Sequence, residues 1–509
     1  RATCLPKQKV LDLRPILPET ILARLATATL FEQFKDKARD VLGPWQIAVN
    51  QNSGGEIAKL GCEYQFFQYE TTAHCSSDVA NGYGSVDRQE LLEAIEAELP
   101  EFSSWAETKY GERLGHQFVQ FFDADGKLKW LKVKQSIGQG CNGSACAFTL
   151  LGRYKRWKAN TTLLHDNELG DALDYIDDEF VTAHYPNDVV PTDSATQHPT
   201  VTVVLSNFEE LKKKRLLPAP SKMRWFAKSR ATFPESQIVP VIQWIRDNVP
   251  EHADWEGPAI VYLEDATDES PAVGMEMLGR PIGTDAYVED YVVKAAEEAI
   301  ATINRQAELM LTKQTAYQLT RYCIISKLVH IVRTVPYRLC QKGIRMFEDR
   351  LRGNSEAAWC WKQLELAPGS VSEEELERLK TATEMRHGDG GLALPNLENI
   401  GRYAYIAGIS DALNTTYAKQ CGMLDRLNES LATGNTKLMF LTEVETQIQD
   451  FRVYLGIPTL DKAEEEGTVA EMDPDEVKRL RFARHTVPEN VADLLDPAKR
   501  EKWGESLQG

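Results

Sequence analysis

The chain has 509 residues, of which 42% are hydrophobic and 26% are charged, which is typical of a globular protein with about three or four structural units. It contains no run of about 18 uninterrupted apolar residues, which argues against a membrane span and predicts no membrane partner. Acidic residues outnumber basic ones by 76 to 58, for a net charge of −18, so nucleic-acid binding would require basic residues gathered on one face.

The nine cysteines form no CxxC pair, so neither a disulfide framework nor a zinc finger is expected. A reducing compartment is the simplest interpretation. The sequence starts at Arg1 without a signal-like segment, and we expect the natural N-terminus to lie further upstream. The sequence therefore does not indicate the cellular compartment.

The first third of the chain mixes helices and strands. Residues 1–75 begin with an extended, Pro-punctuated segment and continue as a helix, predicted from the apolar residues Leu22, Leu25, Leu30, Phe31 and Phe34. Residues 76–150 predict a short strand, a helix over 88–99 and a β-hairpin around Asp125–Gly126.

Further strands are predicted over 173–183, where two β-prone runs meet at an acidic turn, and over 200–206. Residues 231–270 are predicted to be an insertion of mixed secondary structure, and the pattern over 285–417 is helical. Residues 461–509 are polar and predict an extended arm rather than a domain. The predicted class is α+β, with an all-α second half.

Two basic runs are candidates for a nucleic-acid surface. One is the segment 212–230, and the other lies on a predicted helical stretch that carries Arg321, Lys327, Arg333, Arg338, Lys342, Arg345, Arg350 and Arg352. Solvated helix faces without a partner are the alternative for either run.

Acidic residues occur at two positions that matter for phosphoryl transfer. Asp177 and Asp178 are adjacent within a β-prone hairpin, and Asp78 follows another β-prone segment far upstream. A lone Asp pair is usually a surface feature. Two-metal chemistry, however, needs carboxylates from different strands, because one strand cannot flank both ions. Between them, the segment 138–148 is rich in glycine and small residues, which permits close backbone approach to a nucleotide, although a simple turn before a helix stays an alternative.

The order of these motifs resembles reverse transcriptases, especially those of non-long-terminal-repeat retroelements. The resemblance covers about residues 5–400. Its motifs are "PK…RPI" (Lys7, Arg14), Asp-x4-Tyr (78–83), QGCxxS (139–144), YIDD (175–178), the basic segment with Lys222, LGRPIG (278–283) and GGLAL (390–394).

The resemblance implies a right-hand polymerase fold. Its parts would be fingers at 1–75, N-terminally truncated; a palm at 76–284 with a fingers hairpin at 100–140 and an insertion at 231–270; a helical thumb-like region at 285–420; and a helical C-terminal extension with a polar tail at 421–509.

The resemblance also implies roles for single residues. Asp78 and Asp177, with the carbonyl of Val79, would bind Mg²⁺ or Mn²⁺, and Asp178 would support them. Tyr83 would be a steric gate against ribonucleotides, although a core tyrosine is the alternative.

Other residues would contact the substrate. Lys7 and Arg14 would hold the triphosphate, and Gln139 and Gly140 would contact nucleotide and template. Lys222 would protonate pyrophosphate, unless it is a surface lysine of its basic run.

Two functions remain open. The first is an RNA-directed DNA polymerase that uses deoxynucleoside triphosphates on RNA or an RNA/DNA hybrid, nuclear or cytoplasmic as in a retroelement. The second is a domesticated, non-catalytic RNA-binding or structural subunit of a large ribonucleoprotein such as a mitochondrial ribosome, with protein and rRNA partners. Asn142 and Ala145 replace the prolines common in the family motif, and no CCHC knuckle or RNase H signature is found, which favours the second. A non-templated nucleotidyltransferase is a third interpretation.

Overall fold

The computed structural model describes residues 3–6, 13–16, 21–112, 117–122, 125–133, 135–137, 143–151, 161–193, 196–309, 311–355, 358–365, 372–389, 391–433 and 439–500. The chain divides into two compact units, one comprising Arg1–Tyr262 and Thr415–Met423 and the other comprising Leu263–Asn414 and Leu424–Gly509. Helices dominate and the main sheet is largely antiparallel, which confirms the α+β class.

The strands of the described residues, numbered in chain order, are β1 (Thr3–Pro6), β2 (Leu13–Ile16), β3 (Ala73–Asp78), β4 (Gln117–Phe122), β5 (Leu128–Val133), β6 (Gly170–Tyr175), β7 (Asp178–Ala183), β8 (Arg224–Ala227), β9 (Ile260–Tyr262), β10 (Gly274–Met277) and β11 (Arg280–Gly283).

The first unit contains a five-stranded sheet of order β6-β7-β3-β8-β9. Its neighbours are antiparallel except β8 and β9, which are parallel. The two β-prone runs over 173–183 are β6 and β7, as predicted. Strand β9 comes from the predicted insertion 231–270, so part of that segment extends the sheet.

The first unit also contains two hairpins. Strands β1 and β2 pair antiparallel, and so do β4 and β5. The second hairpin turns at Gly126, whose φ of 72° lies in the left-handed region that glycine adopts readily. The hairpin predicted around Asp125–Gly126 is therefore confirmed.

The helices of the first unit include Ile21–Gln33, Lys35–Leu42, Gly54–Gln68, Gly82–Ser85, Arg88–Glu98, Ser103–Tyr110, Pro199–Lys213, Val239–Asn248 and Thr416–Gln420. The predicted helix over 88–99 is confirmed, and its N-cap Asp87 accepts hydrogen bonds from the amides of Gln89 and Glu90. In the predicted N-terminal helix, Phe31 is buried but Leu22 and Leu25 are exposed.

The strand predicted over 200–206 is wrong, because these residues belong to the helix Pro199–Lys213. Pro199 occupies the first turn, and the His198 ring accepts a hydrogen bond from the amide of Thr200. Burial recurs with helical spacing at Val201, Val204, Phe208 and Leu211, and this packing outweighs the β propensity of a Thr/Val-rich run.

The second unit contains the hairpin β10–β11 and many helices. Its helices include Asp285–Glu308, Lys313–Leu319, Ile325–Val332, Tyr337–Arg352, Trp359–Leu364, Glu373–Glu384, Leu397–Leu413, Met439–Leu455, Ile457–Glu466, Pro474–Thr486 and Val491–Leu495. The helix Met423–Ala432 starts where the chain passes from the first unit to the second. The predicted helical pattern after residue 285 is confirmed, and the helix Tyr337–Arg352 begins after Pro336 and ends before Gly353.

The extended arm predicted over 461–509 is wrong for the residues that the structure describes, up to 500. Leu460, Val477 and Leu480 form a small buried cluster between the helices Ile457–Glu466 and Pro474–Thr486. Arg484 connects the same helices by ion pairs to Asp461 (3.1 Å) and Glu464 (2.7 Å). A few apolar residues and matched charges thus order a segment whose overall composition is polar.

Candidate active site

Three carboxylates lie at one end of the five-stranded sheet. Asp78 is the last residue of β3 and Asp178 the first of β7, and the strand register places them directly opposite one another. Asp177 belongs to the two-residue turn between β6 and β7. Opposite residues of an antiparallel pair have Cα atoms about 4.5–5.5 Å apart. The sequence predicts Asp78 and Asp177 on adjacent strands, whereas the residue opposite Asp78 is Asp178 and Asp177 lies in the turn.

The two faces of the sheet have different roles at this end. Successive strand residues point to opposite faces, so Asp78 and Asp178 share one face while Ser77 and Glu179 share the other. Glu179 is 1% exposed and accepts hydrogen bonds from the Ser77 hydroxyl (3.2 Å) and the Asn207 amide. These contacts join β3, β7 and the helix Pro199–Lys213. Sequence reasoning missed them because no motif marks the three residues.

The two oxygens of the Asp78 carboxylate have different surroundings. The side chain is 6% exposed, and its Oδ2 accepts a hydrogen bond from Lys222 Nζ. Its Oδ1 is buried and has no hydrogen-bond partner among the described residues. A buried carboxylate oxygen without a partner is costly, so Oδ1 fits a cation that the chain does not itself supply.

Lys222 reaches Asp78 because the chain before β8 runs beside the end of β3. The amide of Ala219 donates to the Asp78 carbonyl, and the amide of Ala80 donates to the Leu217 carbonyl, both at 2.8 Å. Val79 between them is 3% exposed and forms an isolated antiparallel bridge with Pro218. Sequence order placed Lys222 near the palm motifs, but only the fold shows that it pairs with Asp78.

The described part of the chain holds no ready group of three or more His, Cys, Asp or Glu side chains that could bind a metal ion. The metal roles of Asp78, Val79 and Asp177 therefore stay predictions. Since Lys222 pairs with Oδ2 of Asp78, an ion that binds this oxygen must first displace the lysine.

A buried histidine on the Asp78 face of β3 is structural. His74 is fully buried, and its Nδ1 lies 2.8 Å from the Thr182 hydroxyl and 3.3 Å from Cys62 Sγ. Burial lowers the pKa of His74 to about 3 and raises the pKa of Cys62 to about 12. So low a pKa makes the His74 ring a weak base, and so high a pKa keeps the Cys62 thiol protonated near pH 7, so neither side chain is a good candidate for general base or thiolate nucleophile.

Tyr83 lies in the short helix Gly82–Ser85 that follows the bridge at Val79. Its ring is half-buried and stacks on Phe148, with 5.2 Å between ring centroids and 18° between planes. A Cβ atom on Gly82 would lie 2.9 Å from Phe148 Cζ, so the glycine permits this close packing. Both the predicted gate and the core interpretation remain compatible with a half-buried ring.

The predicted triphosphate contacts lie largely outside the described residues. Lys7, Gln139 and Gly140 are outside them, and for Arg14 the structure describes the strand β2 but not the side chain. Their roles stay predictions.

The first basic run, 212–230, is largely engaged in ion pairs. Besides Asp78–Lys222, the pairs include Lys213–Glu210 (2.5 Å), Lys214–Glu90 (3.3 Å), Arg215–Asp87 (3.2 Å) and Lys228–Glu70 (3.5 Å). Arg230 lies over the Tyr262 ring at 4.2 Å. Exposed pairs of this kind contribute only about 0–1 kcal/mol each, so phosphate groups could compete for these cations.

The second basic run is engaged in the same way. Its pairs include Arg333–Asp411 (2.6 Å), Arg338–Asp285 (2.7 Å), Arg338–Glu443 (2.8 Å), Lys342–Glu289 (3.4 Å), Arg345–Glu398 (3.9 Å), Arg352–Glu348 (2.8 Å) and Arg352–Glu384 (3.5 Å). Arg352 is 4% exposed and cannot belong to a surface. The sequence predicted a basic face because it shows which residues are cationic. Apart from Glu348, the anions in these pairs come from helices other than the one that carries the cation.

Within the described ranges, no helix has both the length and the apolar character needed to cross a bilayer. No family model matches the sequence, and no curated protein matches it with significance.

Comparison with solved structures finds telomerases. The chain is similar to apo telomerase from Candida tropicalis (10% identity, TM-score 0.41, 82% of this chain and 67% of that chain) and to a form of it truncated from the C-terminal domain (12%, 0.32, 44% and 49%). It is also similar to telomerase from Candida albicans in complex with a TWJ fragment of telomeric RNA (8%, 0.38, 96% and 66%). The chain thus spans between half and two thirds of these structures.

Proposed function

We propose that this chain is a reverse-transcriptase-like polymerase that adds deoxynucleotides to a primer on an RNA template. The observation that carries the proposal is the pairing of Asp78 with Asp178 across adjacent antiparallel strands, with Asp177 in the turn beside them. The motif order along the sequence supports it. In this proposal residues 76–284 act as the palm, with 1–75 as fingers and 285–420 as a thumb.

The chain's carboxylates would hold the metal ions. Asp78 and Asp177, with the Val79 carbonyl, would bind Mg²⁺ or Mn²⁺, and the unpartnered Oδ1 of Asp78 suits this role. Such an ion, when bound, activates the primer 3′-hydroxyl and stabilises the charge of the leaving pyrophosphate. Asp178 would keep the site anionic.

Lys222 would change partners during the reaction. Its side chain is 58% exposed, so the ammonium group can leave Asp78 Oδ2 without losing a buried position. It would then lie beside the departing pyrophosphate, to which it can donate a proton. Tyr83 would contact the sugar and exclude a 2′-hydroxyl.

A second candidate function is a non-catalytic, RNA-binding subunit of a ribonucleoprotein. The observation that favours it is the Asp78–Lys222 ion pair, which neutralises the carboxylate without a metal. The extensive pairing of both basic runs points the same way. In that case the palm-like sheet would persist because its core still packs.

Primer extension decides between the two. Purified protein is supplied with a primed RNA template, Mg²⁺ or Mn²⁺, and either deoxynucleotides or ribonucleotides. We expect deoxynucleotide addition by the wild type, none by Asp177→Asn, and ribonucleotide addition by Tyr83→Ala.

Asp166→Asn is the matched control, because Asp166 is an exposed aspartate just before β6. It should extend like the wild type. If a folded, template-binding wild type extends no primer with either metal, the polymerase proposal fails and the second candidate stands.

A further inference from the structure

A short segment before the palm motifs runs alongside the outer edge of β6. The amide of Ile47 donates to the Asp174 carbonyl, and the amide of Asp174 donates to the Trp45 carbonyl, both at 2.9 Å. This is a parallel bridge centred on Gln46 and Asp174. It brings Gln46 beside the end of β6 from which the aspartate turn starts.

The Gln46 side chain is 1% exposed and bonds to the backbone on both sides of this bridge. Its Oε1 accepts hydrogen bonds from the amides of Ala48 (3.0 Å) and Ile176 (3.4 Å). Gln51 Nε2 in turn donates to the Gln46 carbonyl at 2.9 Å. Two backbone N–H donors converge on one oxygen, which fixes the orientation of the carboxamide.

Ile176 is the first residue of the turn that carries Asp177. Its φ of 61° lies in the left-handed region, which a β-branched residue rarely adopts. Such a conformation persists only where surrounding contacts hold it, and strained residues of this kind cluster at functional sites. The hydrogen bond that the Ile176 amide donates to Gln46 Oε1 is one contact that favours this conformation.

We propose that Gln46 is a positioning residue that holds the Ile176–Asp177 turn in the shape needed for metal binding. The inference rests on the proposed function, because it assigns Gln46 to the same carboxylate site. Gln46 touches neither metal nor substrate; it acts through the backbone of Ile176. Removing an outer-shell hydrogen bond of this kind weakens metal affinity by about 10–100-fold.

The test measures Mn²⁺ binding by electron paramagnetic resonance and amide hydrogen exchange of the peptide that covers residues 174–179. Gln46→Met keeps the length of the side chain but removes the acceptor. We expect it to weaken Mn²⁺ binding by about 10-fold or more and to speed exchange at Ile176. Gln46→Glu keeps the acceptor, so its exchange should stay close to that of the wild type.

Gln65→Met is the matched control. Gln65 is equally buried in the first unit and donates to Asp171 (2.9 Å) at the opposite end of β6. It should lower stability without changing Mn²⁺ affinity or exchange at Ile176. If Gln46→Met does not fold, Gln46→Asn, whose shorter side chain withdraws the acceptor, replaces it.

Unchanged Mn²⁺ affinity in folded Gln46→Met, or an equal loss in Gln65→Met, overturns the inference. If the wild type neither binds Mn²⁺ nor extends primers, the proposed function fails by itself. The exchange rates then decide whether Gln46 holds the turn.

Discussion

Mild acid should destabilise the first unit through a single buried histidine, His198. Its ring is fully buried at the start of the helix Pro199–Lys213. Nε2 donates to the Thr71 carbonyl at 2.9 Å, and Nδ1 accepts from the Thr200 amide at 3.2 Å. Protonation would convert Nδ1 from an acceptor to an N–H donor that faces the N–H of Thr200, so this hydrogen bond would be lost. Burial accordingly lowers the pKa of His198 from 6.5 to about 4.

The size of the effect follows from linkage. Between pH 6.5 and about 4 the unfolded chain binds a proton at this ring that the folded chain does not, so stability falls as pH falls. Each unit of pKa difference corresponds to about 1.4 kcal/mol, which gives a loss of about 3 kcal/mol across the window. The contribution is complete above pH 6.5, and no further loss from this ring occurs below pH 4.

The assay compares wild type with His198→Asn by native-state hydrogen exchange of the helix amides at 199–213 from pH 7 to pH 4. Asparagine can accept from the Thr200 amide as an N-cap but does not titrate. The variant should be less stable at pH 7, because the bond to Thr71 is lost, yet its stability should decline less in acid, so the difference between the two proteins shrinks by about 3 kcal/mol. His485→Asn, at an exposed position, controls for loss of a histidine. Parallel stability curves for His198→Asn and wild type would refute the reasoning.

Three further outcomes are expected. Lys222→Met should tighten Mn²⁺ binding about 2- to 5-fold, because it removes an ion pair worth up to about 1 kcal/mol that competes with the metal ion for Asp78. Weaker Mn²⁺ binding by the variant in a titration would contradict this competition between Lys222 and the ion. Gly82→Ala should destabilise the protein by about 1–3 kcal/mol in urea unfolding, since its Cβ forces the Phe148 ring away from Tyr83; an unchanged midpoint would count against this packing. Affinity for a primed RNA template should fall linearly on a log–log plot as KCl rises, and a flat plot would exclude phosphate contacts by the basic runs.

Local patterns predicted the elements whose determinants are close in sequence. The hairpin at Asp125–Gly126 follows from turn chemistry, and the helix Arg88–Glu98 follows from its Asp87 cap and apolar spacing. The run 200–206 was mispredicted because Thr and Val favour strands when considered alone. Its burial against the sheet, together with the His198 cap, decided for a helix.

The C-terminal segment also shows that packing can override a prediction made from sequence alone. Composition predicted an arm because polar residues dominate residues 461–509. Three apolar residues on facing helices, Leu460, Val477 and Leu480, were enough to order the part that the structure describes. Composition averages over a segment, whereas packing depends on which few side chains face one another.

The sequence by itself determined the chemical identity of the candidate site: the order of Asp78, Tyr83 and Asp177–Asp178, and the β-prone segments that carry Asp78 and the Asp177–Asp178 pair. Only the tertiary structure decided the register that sets Asp78 opposite Asp178 and the contact of Gln46 with Ile176. It also decided that Lys222 pairs with Asp78 and that most cations of the basic runs pair with acidic residues from other elements, such as Arg215 with Asp87 and Arg338 with Glu443. Motif chemistry depends on residue type and order, which the sequence states directly. Ion pairs and backbone contacts depend on distances between residues far apart in the chain, and those are set only when the whole core packs.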